Sequence, residues 1–206
     1  MVTLAALVVA VAALVGVGPT AASAAPGPAT PKSHIRAGMT LVGFDAKIAK
    51  AHGYKIVTYA DGSQQSVPVN SKDKTKKKSP ILRPGAKGAV KAAAVNQDTV
   101  YGDCGWSYIE GEVIGTHKVW VRSGLGGGPA AVDEAIWRIT LADKNGQSYQ
   151  GANGSSATNS WSHTWPSLNQ YGWSQEWVLE GQSYAWYTDG SLCYAGEPFI
   201  QYYVSY

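Results

Sequence analysis

The aromatic residues of this 206-residue chain are concentrated in its C-terminal half. The sequence contains 8 Trp, 12 Tyr and 2 Phe, and only Phe44, Tyr54 and Tyr59 precede residue 98. Turn signals such as Asp189-Gly190 recur at short intervals in the same half. Aromatic residues favour strands, and closely spaced turns keep those strands short. Residues 98–206 are therefore predicted to form an all-β domain.

Hydropathy alternates with a period of two inside this region. Trp137, Ile139 and Leu141 are apolar, and Arg138 and Thr140 lie between them. This pattern indicates a strand with one buried face. Eight strands are predicted, at residues 99–101, 106–110, 112–122, 135–142, 160–165, 173–179, 183–188 and 199–206. The predicted fold class is mainly β, an antiparallel β-sandwich, with a barrel as the alternative.

An apolar, uncharged run occupies residues 4–18 and is followed by Ala22-Ser23-Ala24. The run is shorter than the roughly 20 residues that span a bilayer, and small residues at this spacing are typical of a signal-peptide cleavage site. We expect a signal peptide over residues 1–24, with cleavage after Ala24 or Ala25. The protein is then secreted and extracellular, with no stable membrane span after cleavage. A retained membrane anchor is the alternative.

The chain has two cysteines, Cys104 and Cys193. Exported proteins meet an oxidising environment, in which two lone cysteines usually pair. A disulfide between them is predicted, and it would hold sheet edges together near the first and last strands of the β domain. A catalytic thiol is the alternative, although neither cysteine lies in a nucleophile motif.

Charge divides the chain near residues 95–99. The first 97 residues carry 13 of the 17 Lys and Arg residues but only 3 of the 14 acidic residues. This contrast predicts a domain boundary. Residues 70–97 are predicted to be a flexible basic linker. It is a solvated tether, a segment attracted to an anionic surface such as a cell wall, or a site of trypsin-like cleavage that frees the C-terminal domain. Nucleic acid is not an expected partner, because no aromatic residues are interleaved with the basic ones.

Residues 25–69 are predicted to form a spacer and a small helix-hairpin segment. Residues 43–52 have helical composition, and Gly53 stands where a helix commonly ends. Two β-type runs then flank Asp61-Gly62, which is a hairpin turn signal. A unit of about 30 residues is too small for a core of its own, so it must dock elsewhere or stay loose.

Several segments carry a resemblance to known sequences. They are Gly43-Phe44-Asp45-Ala46, Ala49-Lys50-Ala51 with Gly53-Tyr54, Tyr101-Gly102-Asp103-Cys104-Gly105, and a late Cys193-Tyr194. Together with the Ala-rich signal, this arrangement resembles a set of exported actinobacterial proteins of unassigned activity. The resemblance implies a signal peptide, a helix-hairpin segment and a two-cysteine β domain. It supplies no catalytic residue.

Motifs for metal, phosphate and serine chemistry are not found. His34, His52, His117 and His163 are scattered without metal-ligand spacing, so no metal and no cofactor is predicted. The glycine-rich segment 124–128 lacks the Lys-Ser/Thr of a phosphate-binding loop and is predicted to be a mobile loop. No Gly-x-Ser-x-Gly motif marks a serine nucleophile.

Paired carboxylates are the best enzymatic candidate. Glu110 and Glu112 share one face of a strand if Gly111 leaves that strand straight. A glycosidase needs two such groups to act as acid and base. Asp133 with Glu134 and Glu176 with Glu180 are further pairs. Solvated surface acids are the alternative interpretation.

The 8 Trp residues are too many for a small sandwich to bury completely. Trp161 and Trp165 are four residues apart with polar residues between them, so a strand places both rings on one face. They are predicted as binding aromatics, with core packing as the alternative.

These observations predict a secreted, non-catalytic β-sandwich binding module that acts at or outside the cell envelope. Its partner is expected to be an extracellular glycan, the cell wall or a secreted protein. The alternatives are a carbohydrate-active hydrolase that uses Glu110 and Glu112, and a secreted inhibitor of a foreign enzyme. A flat aromatic strip without paired acids would favour the binding module, whereas two carboxyls across a cleft would favour the hydrolase.

Overall fold

A computed structural model describes residues 33–85 and 102–205. The predicted signal peptide, the spacer up to residue 32, linker residues 86–97 and the predicted strand at 99–101 lie outside these ranges. The elements are β1 (Ser33–Gly38), β2 (Thr40–Phe44), α1 (Ala46–Ala51), β3 (Tyr54–Thr58), β4 (Gln64–Pro68), β5 (Trp106–Gly115), β6 (Lys118–Gly126), β7 (Val132–Asp143), β8 (Gly146–Ser156), β9 (Trp161–Asn169), β10 (Gly172–Val178), β11 (Tyr184–Tyr187), β12 (Ser191–Tyr194) and β13 (Phe199–Val204). No helix in the described ranges is long and apolar enough to cross a membrane.

Two antiparallel sheets form a curled, sandwich-like arrangement, as predicted. The smaller sheet has the strand order β1-β5-β6-β9, and the larger has the order β13-β10-β7-β11-β12-β2. β8 pairs with β7 along the edge opposite β10 and β11. β3 and β4 form a separate hairpin.

The inner faces of the two sheets share one core around Trp137. Trp137, Ile139 and Leu141 of β7 are buried, which confirms the alternation seen in the sequence. Trp137 Nε1 donates a hydrogen bond to Ser123 Oγ at 2.8 Å, and Ser123 Oγ donates to the Tyr108 carbonyl at 2.7 Å. The buried indole therefore has its polar atom satisfied.

The predicted disulfide between Cys104 and Cys193 is present, with Cα atoms 6.1 Å apart. Cys104 precedes β5 of the smaller sheet, and Cys193 lies in β12 of the larger one. Beside this bond the Cys104 N–H donates to the Met39 carbonyl at 3.2 Å, and the Met39 N–H donates to the Gly105 carbonyl at 3.0 Å. The bond thus joins the sheets at the point where the chain crosses from β1 to β2.

The N-terminal strands belong to the same two sheets as the aromatic-rich half. β1 pairs with β5, and β2 pairs with β12. The charge contrast predicts that residues 33–44 belong to a separate segment, but the structure places them in the sandwich. Strands pair through backbone hydrogen bonds, so a contrast in side-chain charge does not predict which strands pair.

The predicted helix and hairpin are confirmed as α1 and β3-β4. α1 begins later than predicted because Asp45 caps it. The Asp45 carboxylate accepts hydrogen bonds from Lys47 N at 2.7 Å and Ile48 N at 3.0 Å. Gly53 follows the helix with φ of +76°, the left-handed conformation that glycine adopts easily.

This helix-hairpin unit docks on the turn before β12. The Asp45 N–H donates to the Gly190 carbonyl at 2.8 Å, and Ser66 Oγ donates to the Asp189 carbonyl at 2.5 Å. A side chain at Gly190 would come within 2.8 Å of Ala49 Cβ, so glycine permits this close approach. The Asp189 side chain is fully buried here, and that burial raises its pKa.

Residues 70–85, the described part of the predicted flexible linker, lie along β4. The Ser79 N–H donates to the Ser66 carbonyl at 3.0 Å, and Ser79 Oγ accepts from Ser66 N at 2.9 Å. Gln64 and Leu82 form an isolated antiparallel bridge. Residues 79–82 are therefore packed on the hairpin through serine and backbone groups, and Leu82 also packs against the core. Most of residues 70–78 are exposed.

The glycine-rich segment 124–128 is not a mobile loop. Its first three residues lie in β6. A side chain at Gly126 would come within 2.7 Å of the Trp106 ring, and one at Gly128 within 2.1 Å of the Tyr187 ring. Two aromatic rings therefore occupy the space above glycine backbone, and the segment is packed.

Candidate binding face

Strand β10 buries its polar side and exposes its aromatic side. Ser174 and Glu176 are fully buried, whereas Trp173 is 65% exposed. Trp177, on the same side as Trp173, is half-buried. A shift of one residue in strand register would exchange the two sides, and hydrophobicity alone favours that exchange. Buried polar groups and exposed apolar patches are the informative departures from ordinary burial.

Cross-strand pairing extends the exposed side of β10 across four strands. Residues directly opposite each other in antiparallel strands lie on the same face. The ten residues on this side, here called the aromatic face, are Tyr149, Thr140, Trp177 and Phe199 in one row, Gln147, Ala142, Gln175 and Gln201 in the next, and Trp173 and Tyr203 in the third. Thr140 itself is fully buried between its neighbours in the row. The rows run from β8 through β7 and β10 to β13.

Four rings of the aromatic face are exposed to solvent. The exposed fractions are 65% for Trp173, 63% for Tyr149, 48% for Tyr203 and 40% for Phe199. The exposed large aliphatic side chains of the described residues lie elsewhere, and they are Val69, Ile81 and Ile114. The large hydrophobic groups that this face exposes are thus aromatic.

The third row is an edge-to-face aromatic pair. The ring centroids of Trp173 and Tyr203 are 5.6 Å apart, and their planes are inclined by 70°. Only one ring of the pair can therefore present its flat side to a ligand, and Trp173 is the more exposed. In the middle row Gln175 Nε2 lies 3.5 Å from Gln201 Oε1, so amide groups separate the aromatic rows.

Glu176 and Tyr202 form a buried pair beneath the aromatic face. The Tyr202 hydroxyl donates a hydrogen bond to Glu176 Oε1. Burial raises the pKa of Glu176 to about 8, and the hydrogen bond from Tyr202 opposes that shift. Glu176 is therefore mainly a neutral carboxylic acid at pH 7. It lies on the opposite side of β10 from Trp173, so a ligand on the aromatic face does not reach it.

Trp161 and Trp165 share one face of β9, as predicted, but it is the inner face. They pair with Leu125 and Val121 of β6, both of which are buried. Trp165 is only 7% exposed. Trp161 is half-buried and packs against Trp137, with ring centroids 6.0 Å apart. Trp165 therefore belongs to the core and offers no ring to a ligand.

A cleft of about 580 Å³ lies over the smaller sheet. Its described lining includes Arg36, Trp106, Glu110, Arg122 and Trp161, so one of the two predicted binding aromatics borders this cleft. The Arg36 guanidinium lies 5.1 Å from the Trp106 ring centroid, and Arg122 Nη1 lies 3.7 Å from Glu110 Oε1. A two-carboxylate hydrolase needs its second acid across the cleft. Among the described residues of the lining, Glu110 is the one carboxyl.

Glu110 and Glu112 lie on the same side of β5, because Gly111 stays paired with Val121. Glu112 is exposed opposite Trp120 and does not belong to the cleft lining. The two acids are neighbours along one strand and do not face each other. This geometry differs from that of an acid and base on opposite sides of a glycosidic bond.

In the described ranges, no three His, Cys, Asp or Glu side chains are grouped so that they could hold a metal ion. His52 Nε2 lies 3.0 Å from Asp133 Oδ1. This partly exposed pair connects the end of α1 to β7. It has the geometry of a surface contact between two elements.

The residues of the aromatic face have a signal in the sequence. Trp173-x-Gln175-x-Trp177 and Phe199-x-Gln201-x-Tyr203 repeat one pattern, aromatic, glutamine, aromatic, at every second position. Because β10 and β13 are paired in register, each aromatic residue lies beside an aromatic residue and each glutamine beside a glutamine. The prediction of Trp161 and Trp165 uses only the spacing of two residues within one strand, and this repetition between two strands does not enter it.

Comparison of the chain with protein-family models, with curated proteins and with solved structures finds no match.

Proposed function

We propose that this protein is an exported, non-catalytic binding module that holds its partner on the aromatic face. The observation that carries the proposal is the inverted orientation of β10. Its exposed side bears Trp173 and Trp177, and its buried side bears Ser174 and Glu176.

Folding energetics do not account for this orientation. Removing apolar surface from water stabilises a protein by roughly 25 cal/mol per Å², so leaving Trp173 in solvent forgoes part of that gain. Burial of Glu176 adds a cost, which is reflected in its pKa of about 8. Departures from local consistency are expected where a protein uses its surface for function.

Export is supported by two features. The predicted signal peptide at residues 1–24 directs secretion, and the disulfide between Cys104 and Cys193 suits an oxidising environment. We infer action at or outside the cell envelope, in keeping with the resemblance to exported proteins of unassigned activity.

The test is a sedimentation assay with an insoluble cell-wall preparation. The double variant Trp173→Ala/Tyr203→Ala is compared with the unchanged protein and with Tyr59→Ala. Tyr59 is a matched control because it is 40% exposed and lies outside the aromatic face. Soluble sugars and peptides released from the preparation are measured in the same tubes.

We expect the unchanged protein and Tyr59→Ala to sediment with the preparation, the double variant to remain in solution, and no soluble product to appear. Equal sedimentation of all three proteins would show that the face does not bind. Product that disappears in Glu110→Gln would instead establish the hydrolase. If the unchanged protein neither sediments with the cell-wall preparation nor binds any isolated polysaccharide, the proposal is wrong.

A further inference from the structure

We propose that the aromatic face takes an uncharged polysaccharide chain that lies diagonally across its rows, from Tyr149 to Trp173. This inference rests on the proposed function and adds the chemical class of the ligand. It is carried by the absence of charge among the ten residues of the face, by the amides between the rings, and by the extent of the surface.

The aromatic face is uncharged. None of the ten residues that make up the aromatic face carries a formal charge. Two cations border it on β7 and in the following turn, Arg138 and Lys144. The Arg138 guanidinium lies over Gly151, where a Cβ would come within 2.0 Å of Nη1. A ligand centred on Gln175 and Gln201 therefore meets amides.

The side chains of the aromatic face match the chemistry of a sugar. Aromatic rings offer a flat apolar surface to the C–H face of a sugar ring, and the Trp173 ring is large and exposed. Each glutamine amide both donates and accepts hydrogen bonds, as sugar hydroxyls do. Exposed aliphatic groups, which suit lipid chains, are absent from the ten residues of the face. This combination favours a carbohydrate over a lipid.

The aromatic face is longer than a single sugar unit. Tyr149 and Trp173 lie two strands and two rows apart. Strand spacing of about 4.8 Å and a rise of about 3.4 Å per residue put their Cα atoms on the order of 16 Å apart. Only an extended ligand of several sugar units contacts both rings at once. We therefore infer a polymer.

The experiment measures depletion isotherms of the full chain on three uncharged polysaccharides, cellulose, chitin and a β-1,3-glucan, and on anionic polygalacturonate. Variants Trp173→Ala and Tyr149→Ala test the two distant ends of the face. Tyr59→Ala is again the control for loss of an exposed ring. Thermal unfolding of every variant is recorded, so that loss of fold is separated from loss of binding.

We expect retention on at least one uncharged polymer, with each ring truncation weakening it by roughly tenfold or more. Retention should change little between 50 and about 500 mM salt, because screening weakens only charge interactions. If only Trp173→Ala weakens binding, the ligand is smaller than we infer. If polygalacturonate binds more tightly and salt releases it, the ligand is acidic.

A charge introduced into the middle row of the aromatic face gives a second, independent test of whether the ligand is uncharged. Gln201→Lys and Gln201→Glu place opposite charges in the middle row. Both are expected to weaken retention on an uncharged polymer, because each charge must lose water when the ligand covers it. An increase with Gln201→Lys alone would overturn the inference in favour of an acidic ligand.

The inference can fail while the proposed function stands. In that case the protein sediments with cell walls through the aromatic face, but none of the three uncharged polymers retains it. Protease treatment of the cell walls then identifies a protein partner if sedimentation is lost. Failure of the proposed function is different, since sedimentation then does not depend on Trp173.

Discussion

Two pairs of tryptophans with the same spacing have opposite positions in this protein. Trp161 and Trp165 lie on the inner face of β9, and Trp165 is 7% exposed. Trp173 and Trp177 lie on the outer face of β10, and Trp173 is 65% exposed. A spacing of four residues places both rings of a pair on one face of a strand. It does not determine which face is buried.

Pairing with neighbouring strands determines which face of each strand is buried. The rings of β9 lie opposite Leu125 and Val121, which are core residues of β6. Trp173 lies opposite Tyr203 of β13, on the side away from the core. Register is thus a property of the sheet. The sequence of one strand is compatible with either face being buried.

The largest effect is expected for Trp165→Ala, which tests the buried member of the comparison. Loss of a buried tryptophan removes packed apolar surface and leaves a cavity, so the free energy of unfolding should fall by roughly 3–5 kcal/mol. Urea denaturation measures this change. A fall below about 1 kcal/mol would mean that Trp165 is not a core residue in solution.

The disulfide joins the two sheets, and its removal tests how much it stabilises their packing. The bond joins Cys104 and Cys193, which are 89 residues apart. Opening such a loop is expected to lower the free energy of unfolding by roughly 2–5 kcal/mol. Cys104→Ser/Cys193→Ser should therefore melt at a lower temperature than the oxidised protein, and reductant should lower the melting temperature only in the unchanged chain. Equal melting temperatures would contradict this.

The sequence was sufficient to predict elements with strong local signals. The alternation around Trp137 predicted β7, and Asp61-Gly62 predicted the hairpin of β3 and β4. The isolation of Cys104 and Cys193 predicted their bond. In each case the local pattern and the final fold agree.

Elements without an apolar pattern could not be predicted in this way. β8 has 11 residues, mostly Gly, Ser, Gln and Asn, and it is held by backbone pairing along β7. The predicted strand at residues 112–122 runs through the turn between β5 and β6. His117, with φ of +56°, takes a position in this turn where Asn or Gly is the usual signal. The aromatic face depends on β8, β7, β10 and β13 together, so its outline required the sheet order.

The pH dependence of stability tests the buried side of β10. Glu176 has a pKa of about 8 in the folded protein and an ordinary value of 4.5. Between these values the folded state holds a proton that the unfolded state releases, so stability falls as pH rises. The loss from this group between pH 5 and 7 should be roughly 2–3 kcal/mol, at 1.36 kcal/mol per unit of pKa difference.

Glu176→Gln is expected to remove this contribution, so that its unfolding free energy changes less between pH 5 and 7 than that of the unchanged protein. Asp189 also has a raised pKa and contributes a slope of the same sign, so the difference between the two proteins is the quantity to measure. Parallel curves for the two proteins would show that Glu176 does not titrate as a buried group, and the inverted orientation of β10 would lose its support.

The smallest change in stability is expected for Trp173→Ala, the exposed member of the comparison. Its ring contacts Tyr203 edge to face, but it is 65% exposed, so truncation removes little buried surface. We expect a change in the free energy of unfolding within about 0.5 kcal/mol, the usual range for surface positions. The same denaturation series that includes Trp165→Ala provides the measurement. A loss of several kcal/mol would place Trp173 in the packed interior of the protein in solution, and its exposure could then no longer be explained by ligand binding.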